Sequence, residues 1–317
     1  MRVFRFAIAL ASIFLLMHKP LWACSVCRCG DQSFFLNNAR QLSSGRFLFA
    51  VEHFNTRKTA LMSPHHEEGP MQALEKFSAP LRMQHGDELE AQVQNTLQFN
   101  LKYGLTKRVM LMASIPYAFN RIAMTEGAET AKGLGDPEVM ALARLLEFAN
   151  GAWSLQGTAG ARIPLGASDQ KDEAGVRLEQ HLQTGSGAWA GVFGVQFIKA
   201  SGNLPVFFGA SYQSNGTNDH DFAYGNIFRF NVAAQRAIAG SFDLIAEVNG
   251  RVADYDTEGA ETDANSGGTV VYFSPGVRVR FGSLFSLRSQ VQIPVAENLH
   301  GEQNEKVNVR TGLVWEF

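Results

Sequence analysis

An all-β fold is what this sequence predicts: a transmembrane antiparallel β-barrel of about 12 strands, with short periplasmic turns and longer extracellular loops. Three observations carry that expectation. From Gly45 onward apolar and polar residues alternate with period two, the pattern of strands whose faces meet different surroundings. The N-terminus reads as an export signal. The connections between strands alternate strictly between short and long.

The elements follow in order. Arg2 and Arg5 form a positive start, residues 6–17 a short apolar stretch, and Leu21-Trp22-Ala23 precede Cys24. This is the layout of a secretory signal, too short and wrongly flanked to be a membrane anchor. Residues 1–23 are therefore expected to be a signal peptide, 24–44 a Cys-rich periplasmic segment, and 45–317 the barrel. No later run of 18 apolar residues exists to span a membrane as a helix. A closed barrel is then the remaining way to satisfy every backbone group in lipid. With 18% charged residues, 24 Phe, 30 Gly and a net charge of −2, the chain suits strands and implies no strongly charged partner. No nucleotide-binding glycine loop or nucleic-acid signature occurs.

Strands are predicted near 45–55, 93–104, 107–118, 136–148, 152–165, 185–199, 204–214, 223–236, 240–254, 269–282, 284–295 and 305–317. Alternation is clearest where Val93, Asn95, Leu97, Phe99, Leu101 and Tyr103 interleave with Gln94, Thr96, Gln98, Asn100 and Lys102. The last strand repeats it: Val307, Val309, Thr311, Leu313, Trp315 and Phe317 against Asn308, Arg310, Gly312, Val314 and Glu316. Short links fall at 105–106, 149–151, 200–202, 237–239 and 283; long ones at 56–92, 119–135, 166–184, 215–222, 255–268 and 296–304.

A soluble sandwich or lipocalin-like barrel shares the period but turns its apolar face inward. Three features favour lipid outside. Trp153, Trp189, Tyr212, Tyr224 and Trp315 sit near strand ends, as interfacial girdles require. The export signal supplies the route, and the terminal Phe317 resembles the signal read by the barrel insertion machinery. The expected location is the bacterial outer membrane, with its lipid and that machinery as partners.

If the apolar parity faces lipid, the other parity lists the interior: Lys102, Arg144, Arg162, Arg229, Arg251, Arg278, Arg280, Arg288 and Arg310, against Glu52, Asp243, Glu247 and Glu316. Arginine keeps its charge at any ordinary pH, so the lumen would be basic and anion-preferring. Arg162, Arg229, Arg251, Arg278, Arg280, Arg288 and Arg310 are the candidate selectivity residues. The competing expectation is a network of cross-strand ion pairs that closes the lumen.

Cys24, Cys27 and Cys29 lie where the signal peptide should end. Three readings stand: acylation of Cys24 in a lipoprotein, a copper or zinc site on the three thiolates, or a disulfide in an oxidising periplasm. Arg28 follows Cys27 where covalent haem attachment would need His. Loop 56–92 carries Met62, His65, His66, Glu67, Glu68, Met71, Met83 and His85, a mixture that could hold copper but is ordinary for a surface loop.

The run Gly133-Leu134-Gly135-Asp136, leading into a strand through Ala141, Ala143 and Leu145, resembles an element of the transporter family named for the meta-pathway of phenol degradation. The resemblance covers most of 45–317 and implies an outer-membrane channel for small organic compounds. The expected function is passive passage of a small solute; the alternative is a non-conducting scaffold or soft-metal-binding partner of periplasmic proteins through the cysteines. A third possibility is an outer-membrane lipase, whose catalytic strand pairs His with Ser two residues on. Here Tyr212-Gln213-Ser214-Asn215-Gly216 places Tyr where that base belongs, so no enzyme activity is expected.

Overall fold

A computed structural model describes residues 42–62, 88–124, 127–199, 202, 204–301 and 303–317. Twelve antiparallel strands make the wall: β1 (Phe47–Met62), β2 (Glu88–Gly104), β3 (Val109–Met124), β4 (Glu138–Phe148), β5 (Trp153–Arg162), β6 (Ala190–Lys199), β7 (Val206–Asn215), β8 (Ile227–Ala239), β9 (Phe242–Ala253), β10 (Gly268–Phe281), β11 (Phe285–Leu299) and β12 (Asn308–Glu316). Each pairs with its chain neighbours, and β1 pairs with both β2 and β12, so the sheet closes and keeps no open edge. The closure runs from Leu48 opposite Glu316 to Asn55 opposite Val309.

Side-chain parity is inside out relative to a soluble protein. Phe99, Leu101, Ile115, Phe193, Phe208, Leu244 and Val277 are exposed on the outer face, while Asn100, Lys102, Gln156, Gln213, Asn249, Gln290 and Arg310 are buried within. Exposed apolar surface of that extent is tolerated only against lipid or a partner. Rings gather at the short-turn end: Phe47 stacks on Tyr103 at 4.6 Å, Trp315 lies 5.7 Å from Phe49 and 5.3 Å from Phe285, and Trp153 stacks on Phe197 at 4.8 Å. This is the aromatic belt of a membrane interface. Tyr224 is a correction: it is buried among the loops, its hydroxyl donating to the Gln180 carbonyl, and takes no part in the belt. Glu316 keeps the inner parity, opposite Leu48, and stands half-exposed at the rim, 3.9 Å from Arg46.

Strands overrun the predicted ends mainly on the long-loop side. β1 and β2 stay paired out to Met62 and Glu88, and β3 continues beside a hairpin strand, Gly127–Leu134. Conversely, 185–189 and 223–226 leave the wall to build loop structure. The turn between β4 and β5 is tight, with Ala149, Asn150 and Gly151 all at positive φ.

Candidate functional site in the lumen

Four layers stack along the interior, from the long loops to the short turns. The uppermost is a plug made by residues 163–189, the connection between β5 and β6. Asp136 anchors both of its ends: its carboxylate accepts from the Gly166 amide at 2.9 Å, the Ser186 amide at 2.7 Å and the Ser186 hydroxyl at 2.6 Å. Asn120, on the inner face of β3, donates to the Leu182 and Gln183 carbonyls at 3.0 and 3.1 Å. Leu178 and Leu182 pack on Ile122 and Ala131.

The glycines of the 133–136 run explain why that motif is needed. Gly133 adopts φ +152, and a Cβ on Gly135 would stand 3.0 Å from both Pro116 Cγ and the Thr184 carbonyl oxygen. The run lets the plug backbone lie directly against the wall, and its aspartate then ties the plug down.

Two further loops hold the plug from outside. His181 sits between carboxylates: Nδ1 is 2.6 Å from Glu179 and Nε2 is 2.9 Å from the fully buried Asp256. Burial alone would push the imidazole down, but the hydrogen bonds and charges of Asp256 and Glu179 hold it well above the ordinary histidine value. The same pairing draws Glu179 below its ordinary value against the effect of burial, whereas burial raises Asp263. His181, Asp256 and Asp263 bring ligand-type atoms within 4.8 Å of one another. Both imidazole nitrogens are engaged by carboxylates, so the group acts as an ionic latch between the plug and loop 254–267. Asp256 also accepts from the Gly225 amide at 2.7 Å, and Asn218 donates to the Ser186 carbonyl at 3.0 Å, which brings in loop 216–226.

Beneath the plug lies a cavity of about 130 Å³. Its wall includes Lys58, Arg162, Arg229 and Arg251, the carboxylates Asp136 and Glu138, several amides and hydroxyls, and the apolar faces of Phe54, Pro116 and Tyr272. Lys58 is 3.4 Å from Glu305, which also pairs with Arg251. Arg251 donates to the Tyr272 hydroxyl at 3.3 Å. Arg162 lies directly opposite Glu138 in the β4–β5 register.

The third layer is a charged network. Glu52 lies among Lys102, Arg288 and Arg310 and accepts from Asn100 at 2.9 Å. Gln290 donates to Glu247 at 3.0 Å, and Arg310 stacks over Phe54 at 4.7 Å. Arg278 stands opposite both Asp243 and Arg288 in the sheet register. Arg280 is held 2.7 Å from Asp243 near the turn end.

At the turn end the interior becomes apolar. Leu48, Ala50, Met110, Met112, Met140, Leu142, Val192 and Val314 form one buried cluster with Leu42, from the segment preceding β1. The Leu42 amide donates to the Met110 sulfur at 3.2 Å.

The seven candidate arginines thus all stand on the inner parity but divide. Arg162, Arg229 and Arg251 border the cavity, Arg278, Arg288 and Arg310 belong to the network, and Arg280 is tied up at the rim. Parity gave no sign of the plug, the latch or the methionine cluster. The Gly133–Asp136 run was the available signal for the plug, though its partners are 30 and 50 residues away. Ser214 and Tyr212 share the exposed outer face of β7. Cys24, Cys27 and Cys29, the signal segment, and His65, His66, Glu67, Glu68, Met71, Met83 and His85 lie outside the described residues.

Comparison with known proteins adds the family. A sequence model of the family described as "Putative MetA-pathway of phenol degradation" matches residues 84–306. No curated protein matches the sequence. Among solved structures, the chain is similar to the COG4313 outer membrane channel of Pseudomonas putida F1, with TM-score 0.62 and 14% identity over 87% of this chain and 97% of that one. It is also similar to the translocator domain of the autotransporter NalP of Neisseria meningitidis, with TM-score 0.48 and 10% identity over 89% and 91% of the two chains.

Proposed function

The chain belongs to the "Putative MetA-pathway of phenol degradation" family, and from that premise we propose that it is a bacterial outer-membrane channel for passive passage of a small solute, with a preference for anions. One observation carries this reading. The barrel holds a cavity beneath the plug whose wall has four cationic side chains, Lys58, Arg162, Arg229 and Arg251, against two carboxylates, Asp136 and Glu138, with Glu305 pairing Lys58 and Arg251. Asp136 is already committed to three plug hydrogen bonds. A basic, low-dielectric constriction concentrates anions and repels cations. The Pseudomonas putida protein of the same fold is an outer membrane channel.

Passage on this reading requires displacement of the plug above and rearrangement of the methionine cluster below. Methionine suits the lower position, because its unbranched side chain repacks at small cost. Those same two closures favour the second reading, a non-conducting scaffold that acts through Cys24, Cys27 and Cys29 on a soft metal or a periplasmic partner.

Planar-bilayer conductance of the refolded protein under a salt gradient separates the two. An anion-selective current that loses its selectivity when Arg162→Gln and Arg229→Gln are combined supports the channel. A reversal potential unchanged by that pair removes the lumen as the selectivity element. Absence of current from folded protein favours the scaffold.

A further inference from the structure

Arg229 and Arg251 stand directly opposite each other across β8 and β9, both on the inner parity and both in the cavity wall. Like charges at directly opposed sheet positions repel, and exclusion of water strengthens the repulsion. The protein neutralises only one of them. Arg251 has the Glu305 carboxylate and the Tyr272 hydroxyl. Arg229, 7% exposed, donates Nη2 to the neutral amide oxygen of Gln213 at 3.0 Å, and its Nε and Nη1 have no hydrogen-bond partner. Among the described residues no carboxylate pairs with it.

A guanidinium cannot escape such a position by losing its proton. A repulsive, under-satisfied arginine in a cavity wall is costly for stability, and costs of this kind persist where a ligand repays them. A small organic anion such as a carboxylate, accepting from either of these free nitrogens, would satisfy the charge. The cavity sets its size. About 130 Å³ is close to the ~150 Å³ known to hold a benzene ring, and Phe54, Pro116 and Tyr272 supply apolar wall around it.

We infer that the lumen contains a binding site for a small organic anion, a carboxylate carried on a body of about one ring, with Arg229 as its anchor. The inference rests on the solute-passage reading and gives that passage a substrate class.

The test is calorimetric titration of the refolded, detergent-solubilised full chain with benzoate, with benzamide as its neutral isostere and acetate as its ringless counterpart. Benzoate should bind one to one, at least tenfold more tightly than either control. Arg229→Gln should weaken benzoate at least tenfold and leave the benzamide response unchanged. Arg280→Gln, which alters a cation paired with Asp243 outside the cavity wall, should leave benzoate affinity as it was. Benzoate and benzamide heats that coincide in the unaltered protein would overturn the site without recourse to any variant, as would full affinity in Arg229→Gln. Bilayer conductance of the same preparations keeps the two readings apart. Current without benzoate binding removes the site and leaves the channel; benzoate binding without current removes the channel and leaves the site.

Discussion

Asp136→Asn should release the plug. The carboxylate accepts three hydrogen bonds, from the Gly166 amide and from the amide and hydroxyl of Ser186. Hydrogen bonds to a charged group contribute about 1.5–3 kcal/mol each, and a buried donor left facing a donor costs a further 1–3 kcal/mol. Asparagine keeps one acceptor oxygen, so it can serve one end of the plug while its NH2 confronts an N–H at the other. One charged bond lost and one donor left opposed put the change at about 3 kcal/mol, or roughly a hundredfold in the closed-to-open ratio. The plug carries its own reporters, since Lys171 is exposed and Arg177 half-buried. Where cleavage is slower than reclosing, trypsin cuts in proportion to the open population. Cleavage after these two residues should accelerate by up to two orders of magnitude while the barrel keeps its native electrophoretic mobility. A rate within about twofold of the unaltered protein, in variant shown to be folded, would refute the assignment of Asp136 as the anchor.

Three more expectations follow from the same geometry. The raised His181 value means that its contribution to closure is fully present below the ordinary histidine range and is lost as pH rises through the elevated value; plug cleavage should therefore accelerate in alkaline buffer, and His181→Ala should abolish that pH dependence. A pH profile identical in the variant would sink the latch. Gly185→Ala should open the plug without removing any side-chain polar group, because a Cβ there collides with the Gly166 backbone; tryptic cleavage slower than in Asp136→Asn but well above the unaltered rate is the expected reading, and no change would mean that the two arms of the plug are not apposed. Glu52→Gln should shift the reversal potential further towards anions, since it removes the carboxylate that lies among Lys102, Arg288 and Arg310; a shift in the cation direction would contradict the network as described.

Much of the wall was legible because lipid and lumen impose opposite demands on neighbouring residues. Where the two faces differ in chemistry, as from Gln94 to Lys102 or from Asn308 to Glu316, alternation fixes both the strand and its orientation. It fails where both faces are apolar. In β3 the run Val109-Met110-Leu111-Met112 has no polar parity, so nothing local says that Met110 and Met112 turn inward to meet Leu48, Leu142 and Val314 from other strands. Residues 185–189 read as the start of a strand yet belong to the plug, because Ser186 is recruited by Asp136, 50 residues away. Pairing of that range leaves no periodic trace. Tyr224 was misplaced for a related reason: a tyrosine near a strand end suits a membrane interface equally well as a hydrogen bond to a folded loop, here the Gln180 carbonyl.

The division among the arginines carries the functional argument further than their number does. In the lower network positive charge is opposed at close quarters by Glu52, Asp243 and Glu247, and amides fill between them, so its first effect is to hold strands together across a water-poor interior. Cations still outnumber acids there, with Lys102, Arg278, Arg280, Arg288 and Arg310 against Glu52, Asp243 and Glu247, so that layer favours an anion by charge alone. In the cavity the pairing differs: Glu305 serves both Lys58 and Arg251, Glu138 opposes Arg162, and Arg229 receives an amide alone. The cation with no carboxylate beside it therefore lies beneath the plug whose removal would admit solute from the long-loop side. Discrimination among solutes is expected at that point, before the methionine cluster is reached, and by the fit of a charge and a small body together. A lumen that were merely basic throughout would select by charge alone.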